Sequence, residues 1–563
     1  MKDYIFPEVA ASAPDISGRG LALLNLLLQA RGITNEAEAA AFLAPDYNSQ
    51  LHAPELLHDM EKACMRIEEA MQNNERIAIF SDYDCDGIPG AVVLHDFFKA
   101  IKYDNFQNYI PHRHYEGFGL SVKAIDSLKS DGVSLIITID CGTSNIEEVA
   151  HANAVGIDVI ITDHHEPEAQ LPAASAVINP KLGNYPFAGL CGTGVVFKLT
   201  QALLNRNDYG LVKGFEKWWL DMVAIATIAD MVPLQGENRV LAHYGLQVLR
   251  KSRRPGLQQL LKKARIDQRY LTEEDIGFTI GPRINAASRM DTPEDAFYML
   301  KETDLAEAGK RVEHLEKLNT NRKTQVALMT KDLHKRLKML EEIPAVLVMG
   351  HSDWRPSLVG LAAGKLADEH NRPVFIWGTD GNGVYKGSCR SGGGVSVVKL
   401  MQACSEMFSE YGGHHVAGGF AVKDEYIFNF GENLLSAMLE LGKTATIKES
   451  VKIDAELTLD EVNPLLIEQL TLLSPFGTGN HKPLFVFRDV VPESVELFGK
   501  SKEHTKLVFK TESGKLEAIA FFQTPEGWGR RPAAAAPCTL ISHVEQSFFM
   551  GRQQLRLRIV DVI

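Results

Sequence analysis

Short apolar runs separated by helical stretches set the pattern of hydrophobic and polar positions in the first half of the chain. Three runs, at 77–80, 135–139 and 159–162, are rich in isoleucine, leucine and valine and show no polar alternation. Such runs are typical of central strands that are buried on both faces of a parallel sheet. Helical stretches lie between them, as at 91–100. The pattern therefore predicts an α/β domain with a doubly wound parallel sheet.

The second half of the chain contains three further patterns. Residues 310–342 contain neither glycine nor proline, and their leucines recur at helical spacing, so we expect a long helix connecting two globular units. A second α/β unit is expected from Pro344 to about Lys448. The tail from Val451 alternates apolar and polar residues and predicts a small OB-like β-barrel. In 555–559, leucines and isoleucine share one strand face and arginines the other, which also fits a plain sheet with solvated arginines.

Acids follow each of the three predicted strands. The carboxylates and imidazoles at these strand ends are Asp82, Asp84, Asp86, Asp140, Asp163, His164 and His165. Ligands bind beyond the carboxyl ends of such strands, where clustered acids repel one another unless a cation lies among them. Oxygen ligands together with imidazole suit Mn²⁺ or Mg²⁺. One aspartate after a strand is often a helix cap or turn residue, but recurrence at three strand ends favours a metal-dependent hydrolase.

Two other features remain open between a structural and a functional interpretation. Asp230 ends a predicted helix that Pro233 stops, so it is either a solvated terminal acid or a further metal ligand. Two glycine-rich loops, at 386–394 and 412–419, lie in the second α/β unit. Glycine allows close backbone approach and suits a phosphate cradle, although both loops also fit flexible turns.

Composition narrows the classes of function. The chain has 563 residues, enough for three or four domains, and a net charge of −13, which argues against indiscriminate binding to a polyanion. The stretch 491–563 is the least acidic part, with a net charge of +2. Seven cysteines without C-x-x-C spacing fit a reducing cytosol and show no zinc knuckle. No apolar run reaches transmembrane length, so we expect a cytoplasmic protein without a membrane partner.

Several ordered motifs resemble the DHH phosphoesterase superfamily. These motifs are Asp82-Tyr83-Asp84-Cys85-Asp86-Gly87, Asp163-His164-His165, Ala229-Asp230-Met231-Val232-Pro233-Leu234 and Gly281-Pro282-Arg283-Ile284-Asn285-Ala286-Ala287. The run at 413–419 looks like the companion DHHA1 domain, and 474–480 before the β-rich tail is similar to the barrel domain of the RecJ exonucleases. The series covers about residues 50 to 563 in the RecJ order.

The resemblance implies a two-metal site and a substrate pocket. Two divalent ions, Mn²⁺ or Mg²⁺, would be held by Asp82, Asp84, Asp86, Asp140, His164 and Asp230, with Asp140 as the bridge. His165 would lie against the scissile phosphate, and the implied catalytic set is His165, Asp140 and Arg283. The residues implied to bind the 5′-phosphate and the nucleotide are Arg113, Arg283, Ser388, Arg390, His414, Gly418 and Gly419.

The resemblance also implies a domain order and a function. The expected parts are a helical extension at 1–50, a DHH catalytic domain at 51–305, a connecting helix at 306–342, a DHHA1 domain at 343–448 and an OB-like nucleic-acid-binding domain at 449–563. The expected function is 5′→3′ degradation of single-stranded DNA in recombination and repair, with single-strand-binding protein and a RecQ-type helicase as family-implied partners. The alternatives are an oligonucleotide or cyclic-dinucleotide phosphodiesterase and a non-catalytic replication scaffold.

The chain departs from the family pattern at a few positions. The family usually has alanine at Cys85 and glycine at Ser288, and it has histidine and glycine where Arg355 and Ser357 stand. Pro89 also replaces a threonine or another small residue. None of these changes removes an implied metal ligand. Cys85 could bind a soft metal, but we expect its side chain to pack inward, while Arg355 and Ser357 leave substrate handling by the second domain open.

Overall fold

The computed structural model describes residues 3–6, 16–441, 450–549 and 552–563. Contacts divide the chain into two units. One unit consists of residues 1–50, 233–235 and 449–563, and the other consists of 51–232 and 236–448. The expected boundary at 448/449 lies outside the described residues.

The N-terminal segment has one short strand and two helices: β1 (Asp3–Ile5), α1 (Ile16–Ala30) and α2 (Glu36–Leu43). Asn35 caps α2 by accepting a hydrogen bond from the Glu38 amide. Leu24, Leu27 and Leu28 of α1 pack into the same apolar core as the C-terminal strands. The N-terminal helices therefore belong to the unit of the C-terminal domain.

The first α/β domain has a five-stranded sheet. Its elements are α3 (Met60–Gln72), β2 (Arg76–Ser81), α4 (Gly87–Ala100), β3 (Phe106–Tyr109), α5 (Val122–Ser130), β4 (Val133–Ile139), α6 (Ile146–Ala154), β5 (Asp158–Thr162) and β6 (Ala176–Ile178). The strand order is β3-β2-β4-β5-β6, and all neighbours are parallel. Helices α5 and α6 cover one face of the sheet, where they enclose Phe80. Helix α4 approaches Ile139 on the other face. The structure confirms the predicted doubly wound parallel sheet.

A helical layer completes this domain. Its helices are α7 (Gly192–Arg206), α8 (Leu220–Ala229), α9 (Gly236–Leu249), α10 (Pro255–Ala264), α11 (Glu273–Asp275), α12 (Gly281–Met290) and α13 (Glu294–Lys301). A single π-helical turn, Ile276–Ile280, leads directly into α12. Helix α8 is almost wholly buried and ends at Asp230. Two features therefore point towards the functional site, the N-terminus of α7 and the C-terminus of α8.

The long connecting helix, α14, spans Leu305–Leu337. Asp304 caps it by accepting hydrogen bonds from the amides of Ala306 and Glu307. Its C-terminal half packs through Met329, Leu333 and Leu337 against the next domain. The apolar pattern predicted a helix at 310–342 and the resemblance implied a connecting helix at 306–342, whereas α14 begins at Leu305 and ends five residues before the predicted end. Gly309 lies in the second turn without interrupting the helix, and the cap at Asp304 marks its start.

The second α/β domain has a mixed sheet. Its elements are β7 (Leu347–Gly350), α15 (Pro356–His370), β8 (Val374–Thr379), β9 (Tyr385–Arg390), α16 (Val397–Gln402), β10 (Phe408–Gly413), β11 (Ala417–Val422) and α17 (Phe430–Glu440). The strand order is β10-β11-β9-β8-β7, and β7 and β8 form the parallel pair. Phe375, Phe420 and Phe430 fill the core on one face. The structure confirms a second α/β domain.

The C-terminal domain is built on a seven-stranded sheet. Its elements are β12 (Ser450–Lys452), β13 (Ala455–Glu456), α18 (Pro464–Leu473), β14 (Phe485–Val490), β15 (Pro492–Phe498), β16 (His504–Thr511), β17 (Gly514–Ala520), β18 (Cys538–Phe549) and β19 (Arg552–Val562). The order in the sheet is β13-β14-β18-β19-β17-β16-β15. In β19, Leu557 and Ile559 enter the core, whereas Arg556 and Arg558 lie over the Phe521 ring. The predicted alternation of the two faces is therefore present.

Two observations bear on the environment of the protein. All seven cysteines are free and buried. Over the part of the chain that the structure describes, no helix combines the length and the apolar character that crossing a bilayer requires.

Candidate metal centre and substrate cleft

The acids that follow the three predicted strands meet at one edge of the sheet. Strands β2, β4 and β5 are adjacent and parallel, so Asp82, Asp140 and Asp163 follow neighbouring carboxyl ends. The backbone amide of Asp82 donates to Ile139, and that of Asp140 donates to Thr162. These bonds continue the ladder past the strands and hold the acids side by side. The sheet therefore fixes where the acids stand.

All six predicted metal ligands lie in this cluster. Three groups have ligand atoms within 4.8 Å of one another: Asp82 with Asp84 and Asp140, Asp86 with His164 and Asp230, and Asp140 with His164 and His165. His164 Nε2 lies 3.1 Å from an Asp140 oxygen and 3.7 Å from oxygens of both Asp86 and Asp230. Asp140 thus belongs to two of these groups, and it is the one residue that the two have in common. Asp230, at the end of α8, lies within the cluster rather than in open solvent.

The N-terminus of α7 holds Asp86. The amides of Gly192 and Thr193 donate to its two carboxylate oxygens at 2.6 and 2.7 Å. This is the charge-assisted contact that the unsatisfied amides at a helix start favour. A Cβ at position 192 would lie 2.6 Å from the Asp140 Cβ, so glycine is required there. The sequence analysis missed both residues, since they lie more than a hundred positions after Asp86 and bind its carboxylate through backbone amides, which no side-chain motif reveals.

Electrostatics in the cluster favour a bound cation. Burial, and then the neighbouring carboxylates, raise the pKa values of Asp82 and Asp140 well above the usual range and that of Asp230 to about 9. One buried oxygen of Asp82 and one of Asp140 accept no hydrogen bond. Burial lowers the pKa of His164, which keeps its imidazole neutral. Repelling carboxylates, unsatisfied oxygens and a neutral imidazole are the donor set that divalent ions require.

Asp163 orients His165 and does not join the ligand groups. Its carboxylate accepts hydrogen bonds from the amides of Thr143, His164 and His165 and contacts His165 Nδ1 at 2.8 Å. Burial alone would lower the pKa of His165, but the hydrogen bond to Asp163 and its charge raise that pKa to about 9. The same partners lower the pKa of Asp163 despite its burial. His165 is therefore a charged donor beside the cluster.

A cleft of about 1170 Å³ opens beside this cluster, between the two α/β domains of the second unit. One wall carries Tyr83 and the loop 112–115, and the other carries Ser388 and Gly419. The guanidinium of Arg113 lies 4.8 Å from the centre of the Tyr83 ring. The predicted substrate residues Arg113, Ser388 and Gly419 thus face a common space.

Three family models match successive parts of the chain. The DHH family N-terminal domain matches residues 76–227, the DHHA1 domain matches 343–443, and the RecJ OB domain matches 453–561. The single-stranded-DNA-specific exonuclease RecJ of Haemophilus influenzae is 30% identical over 517 residues, and the match covers 89% of each chain. This chain belongs to the RecJ family.

Two further comparisons support the assignment to the RecJ family. The single-stranded-DNA-specific exonuclease RecJ of Bacillus subtilis is 34% identical over 507 residues, which cover 89% of this chain and 63% of that protein. The crystal structure of RecJ from Thermus thermophilus in complex with Mn²⁺ aligns with a TM-score of 0.81 at 26% identity. That alignment covers 100% of this chain and 79% of the Thermus chain.

Four arginines of this RecJ-family chain form a pocket of uncompensated positive charge. They are Arg113, Arg289, Arg322 and Arg390, and none has a carboxylate within ion-pair distance among the described residues. Burial and then the charge of Arg113 lower the pKa of Arg289 to about 9, with further contributions from Arg322 and Arg390. A pocket of this kind is complementary to phosphate. The sequence analysis missed Arg289 and Arg322, since no motif marked them.

Arg283, in contrast, is already paired. Its guanidinium forms two hydrogen bonds with Glu316 of α14, at 2.7 and 3.2 Å, and a third with the Thr279 carbonyl. It does not line the cleft, and neither do Arg289 and Arg390, so the pairing is what sets Arg283 apart. The structure therefore gives Arg283 an acid partner on α14, which the arginines of the pocket lack. Its role in binding or catalysis stays a prediction that this geometry does not favour.

The glycines of the β10–β11 hairpin differ in the space around them. A Cβ at Gly418 would lie 2.7 Å from the Gly412 carbonyl, so this glycine is required for strand packing. Gly419 lines the cleft and has room for a Cβ. His414 lies exposed in the turn, with its amide bonded to Ala417. A nucleotide-binding role for these residues stays a prediction.

Among the positions expected to depart from the family pattern, Cys85, Ser288 and Ser357 are buried and Arg355 is exposed. The Cys85 side chain is buried as expected, and burial raises the pKa of its thiol well above the usual value, so it stays protonated. Ser288 is fully buried beside the Asn285 carbonyl. Ser357 is buried and hydrogen-bonded to Arg289, whereas Arg355 is exposed and lines the cleft.

Gly360→Ala is expected to weaken strand binding severalfold without changing metal binding. A Cβ at position 360 of α15 would lie 3.1 Å from Arg390 Nη2 and 3.2 Å from Ser388 Oγ, which forces both side chains to shift. Fluorescence anisotropy with a 5′-phosphorylated strand measures the affinity. Gly364→Ala, one turn further along, is the control, since its Cβ would make an ordinary 3.9 Å contact with Arg390. Equal affinities of the two variants would contradict the placement of Ser388 and Arg390.

Proposed function

We propose that the chain is a divalent-metal-dependent exonuclease that removes nucleotides from the 5′ end of single-stranded DNA. One observation carries this proposal: all six predicted ligands lie in one cluster, with unsatisfied oxygens on Asp82 and Asp140, beside four arginines without an ion-paired acid among the described residues. The first feature suits cations that activate water, and the second suits a terminal phosphate. Membership of the RecJ family supports the same reaction.

The residues of the acid cluster would hold two ions, Mn²⁺ or Mg²⁺. When bound, the ions lower the pKa of water and neutralise charge on the attacking and leaving oxygens of a phosphodiester. We assign Asp140 the bridging position because it belongs to two ligand groups. The amides of Gly192 and Thr193 fix the Asp86 carboxylate, which keeps this ligand in place before any ion binds.

His165 would act on the phosphate beside the metal ligands. Asp163 holds its Nδ1 and keeps the ring charged at neutral pH, so Nε2 can donate a proton or a hydrogen bond to a phosphate oxygen. Phe118 lies edge-on to the His165 ring, with the two ring centres 5.6 Å apart. We therefore assign His165 to the scissile phosphate.

The arginine pocket would set the polarity of cleavage. Arg289 and Arg390 would bind the terminal 5′-phosphate together with Ser388 and Arg113, because their N–H groups lack anionic partners. Contacts to phosphate carry no base information, so cleavage should be largely independent of sequence. Binding of the end next to the metal ligands places the first phosphodiester at the reacting position.

The two alternative functions are less well supported. A dinucleotide phosphodiesterase has no need of the C-terminal domain, which here matches the RecJ OB domain. A replication scaffold has no need of the acids, yet every one of the six is present and clustered. We further propose a cytoplasmic location and, as partners, single-strand-binding protein and a RecQ-type helicase. Co-purification of the full chain with each purified partner tests the last two proposals.

Digestion of labelled single strands over a range of Mn²⁺ and Mg²⁺ concentrations tests the proposed function. We expect a 5′ label to appear at once as mononucleotide, whereas a 3′ label should stay in long fragments until late. Chelation should abolish release of both labels. Early release of the 3′ label would contradict the proposed polarity. Faster hydrolysis of a dinucleotide than of a long strand would favour the phosphodiesterase instead.

A further inference from the structure

Arg355 presents an unpaired guanidinium to the cleft. It lies directly before α15 at the mouth of the second α/β domain, and its side chain is exposed. Its single hydrogen bond runs from Nη1 to the Met290 carbonyl at 3.2 Å. No described carboxylate lies within ion-pair distance of it, although Asp291, Asp380 and Glu410 also line the cleft. Because arginine has five N–H donors, most of its hydrogen-bonding capacity faces solvent.

The backbone beside Arg355 is fixed relative to Arg289. Ser357 Oγ donates to the Arg289 carbonyl at 2.8 Å, and Arg289 Nη1 donates to the Ser357 carbonyl at 2.8 Å. With the bond from Arg355 to Met290, three hydrogen bonds join the end of α12 to the start of α15. Arg355 and Ser357 therefore stand at one junction, which fixes the position of Arg355 relative to Arg289.

Arg355 stands in the open part of the cleft, on the Arg113 side of the arginine pocket. It lines the open cavity with His112, Arg113 and His114, whereas neither Arg289 nor Arg390 is among the lining residues. Burial lowers the pKa of His114, and the charges of His112, Arg113 and Arg355 lower it further. Arg355 thus adds a second arginine to the open cavity beside Arg113, while the side chains of Arg289 and Arg390 lie behind its lining.

We propose that Arg355 binds a backbone phosphate of the DNA strand downstream of the scissile bond, and so favours long strands over dinucleotides. This inference rests on the proposed exonuclease function. Arginine is always charged and can bind phosphate through two parallel donors. Arg355 would therefore add a permanent ionic contact to those that the arginine pocket makes with the strand end.

Kinetics of Arg355→Ala on two substrates test the proposal. On a 5′-phosphorylated strand of about twenty nucleotides we expect KM to rise about tenfold, as loss of one charge-assisted contact predicts, with kcat unchanged. On a 5′-phosphorylated dinucleotide we expect both constants to stay at the wild-type value. Arg355→Lys should restore part of the loss, since it keeps the charge but not the fork. Arg269→Ala, which removes an exposed arginine paired with Asp267, is the control for net charge.

The salt dependence of the affinity for the strand is a second measurement, because a general loss of structure would not change it in the same way. Removal of one phosphate contact should reduce the slope of log affinity against log salt by about 0.7 for a single strand. Fluorescence anisotropy without metal measures this slope even if the wild-type protein hydrolyses neither substrate. Absence of hydrolysis would overturn the proposed function but not the role of Arg355 in binding. An unchanged slope in Arg355→Ala, or an equal loss on both substrates, would overturn the role of Arg355.

Discussion

Asp140→Asn is expected to abolish hydrolysis while leaving strand binding measurable. Asp140 belongs to two groups of ligand atoms, so its loss removes an oxygen from each proposed ion position. Metal ions contribute several kcal/mol of charge stabilisation in the transition state, and each 1.36 kcal/mol is a factor of ten, so we expect kcat to fall about a thousandfold or more. Turnover with saturating Mn²⁺ measures the effect. Turnover near the wild-type rate would refute the assignment.

Thermal unfolding of the same variant separates a metal role from a structural one. Burial and the neighbouring acids raise the pKa of Asp140, so its charge destabilises the metal-free protein at neutral pH. The neutral amide should therefore raise the melting temperature of the metal-free protein while reducing the further rise that Mn²⁺ causes. Asp104→Asn, at an exposed acid of the same domain, should leave both unchanged. A variant that melts lower without metal would show that Asp140 stabilises the fold directly.

Arg289→Met should lower kcat/KM about a hundredfold on a 5′-phosphorylated strand and much less on a 5′-hydroxyl strand. Hydrogen bonds to charged groups contribute about 1.5–3 kcal/mol, and Arg289 offers them to a phosphate without an anionic competitor. Stability should change little, because the lost hydrogen bond to the Ser357 carbonyl is offset by removal of a charge that burial and nearby arginines disfavour. A competition assay with the two strand types measures the preference for the phosphorylated end.

Arg283→Met is the matched control, since both arginines lie on α12. Arg283 is paired with Glu316, so its loss should leave the end preference unchanged and lower the melting temperature instead. If Arg283→Met removed the preference and Arg289→Met did not, the family-implied role of Arg283 would be correct. The arginine pocket would then have another function.

The different surroundings of Arg283 and Arg289 could not be predicted from the sequence. The two arginines are six residues apart, which on a helix places them about 120° apart around the axis, so they do not point in the same direction. The sequence shows the separation but not which face meets the cleft. That depends on α14, which places Glu316 against Arg283 and Asn319 with Arg322 near Arg289.

The local sequence pattern was sufficient to predict the parallel sheet and the acid cluster at its edge. The apolar runs determine β2, β4 and β5, and an acid that directly follows each run must stand at the same sheet edge, because neighbouring parallel strands end together. The alternation in β19 likewise follows from a period of two. In these cases the chemistry lies within a few residues of the element that positions it.

The sequence by itself therefore determined the three folded domains, the edge where the acids gather and the family to which the chain belongs. Only the tertiary structure decided which backbone amides hold Asp86, that Asp163 orients His165, and which arginines lack an acid partner. The physical reason is that periodicity encodes how a segment buries its apolar face, whereas a hydrogen bond or an ion pair between distant segments depends on how those faces pack. Unpaired charge is a property of that packing.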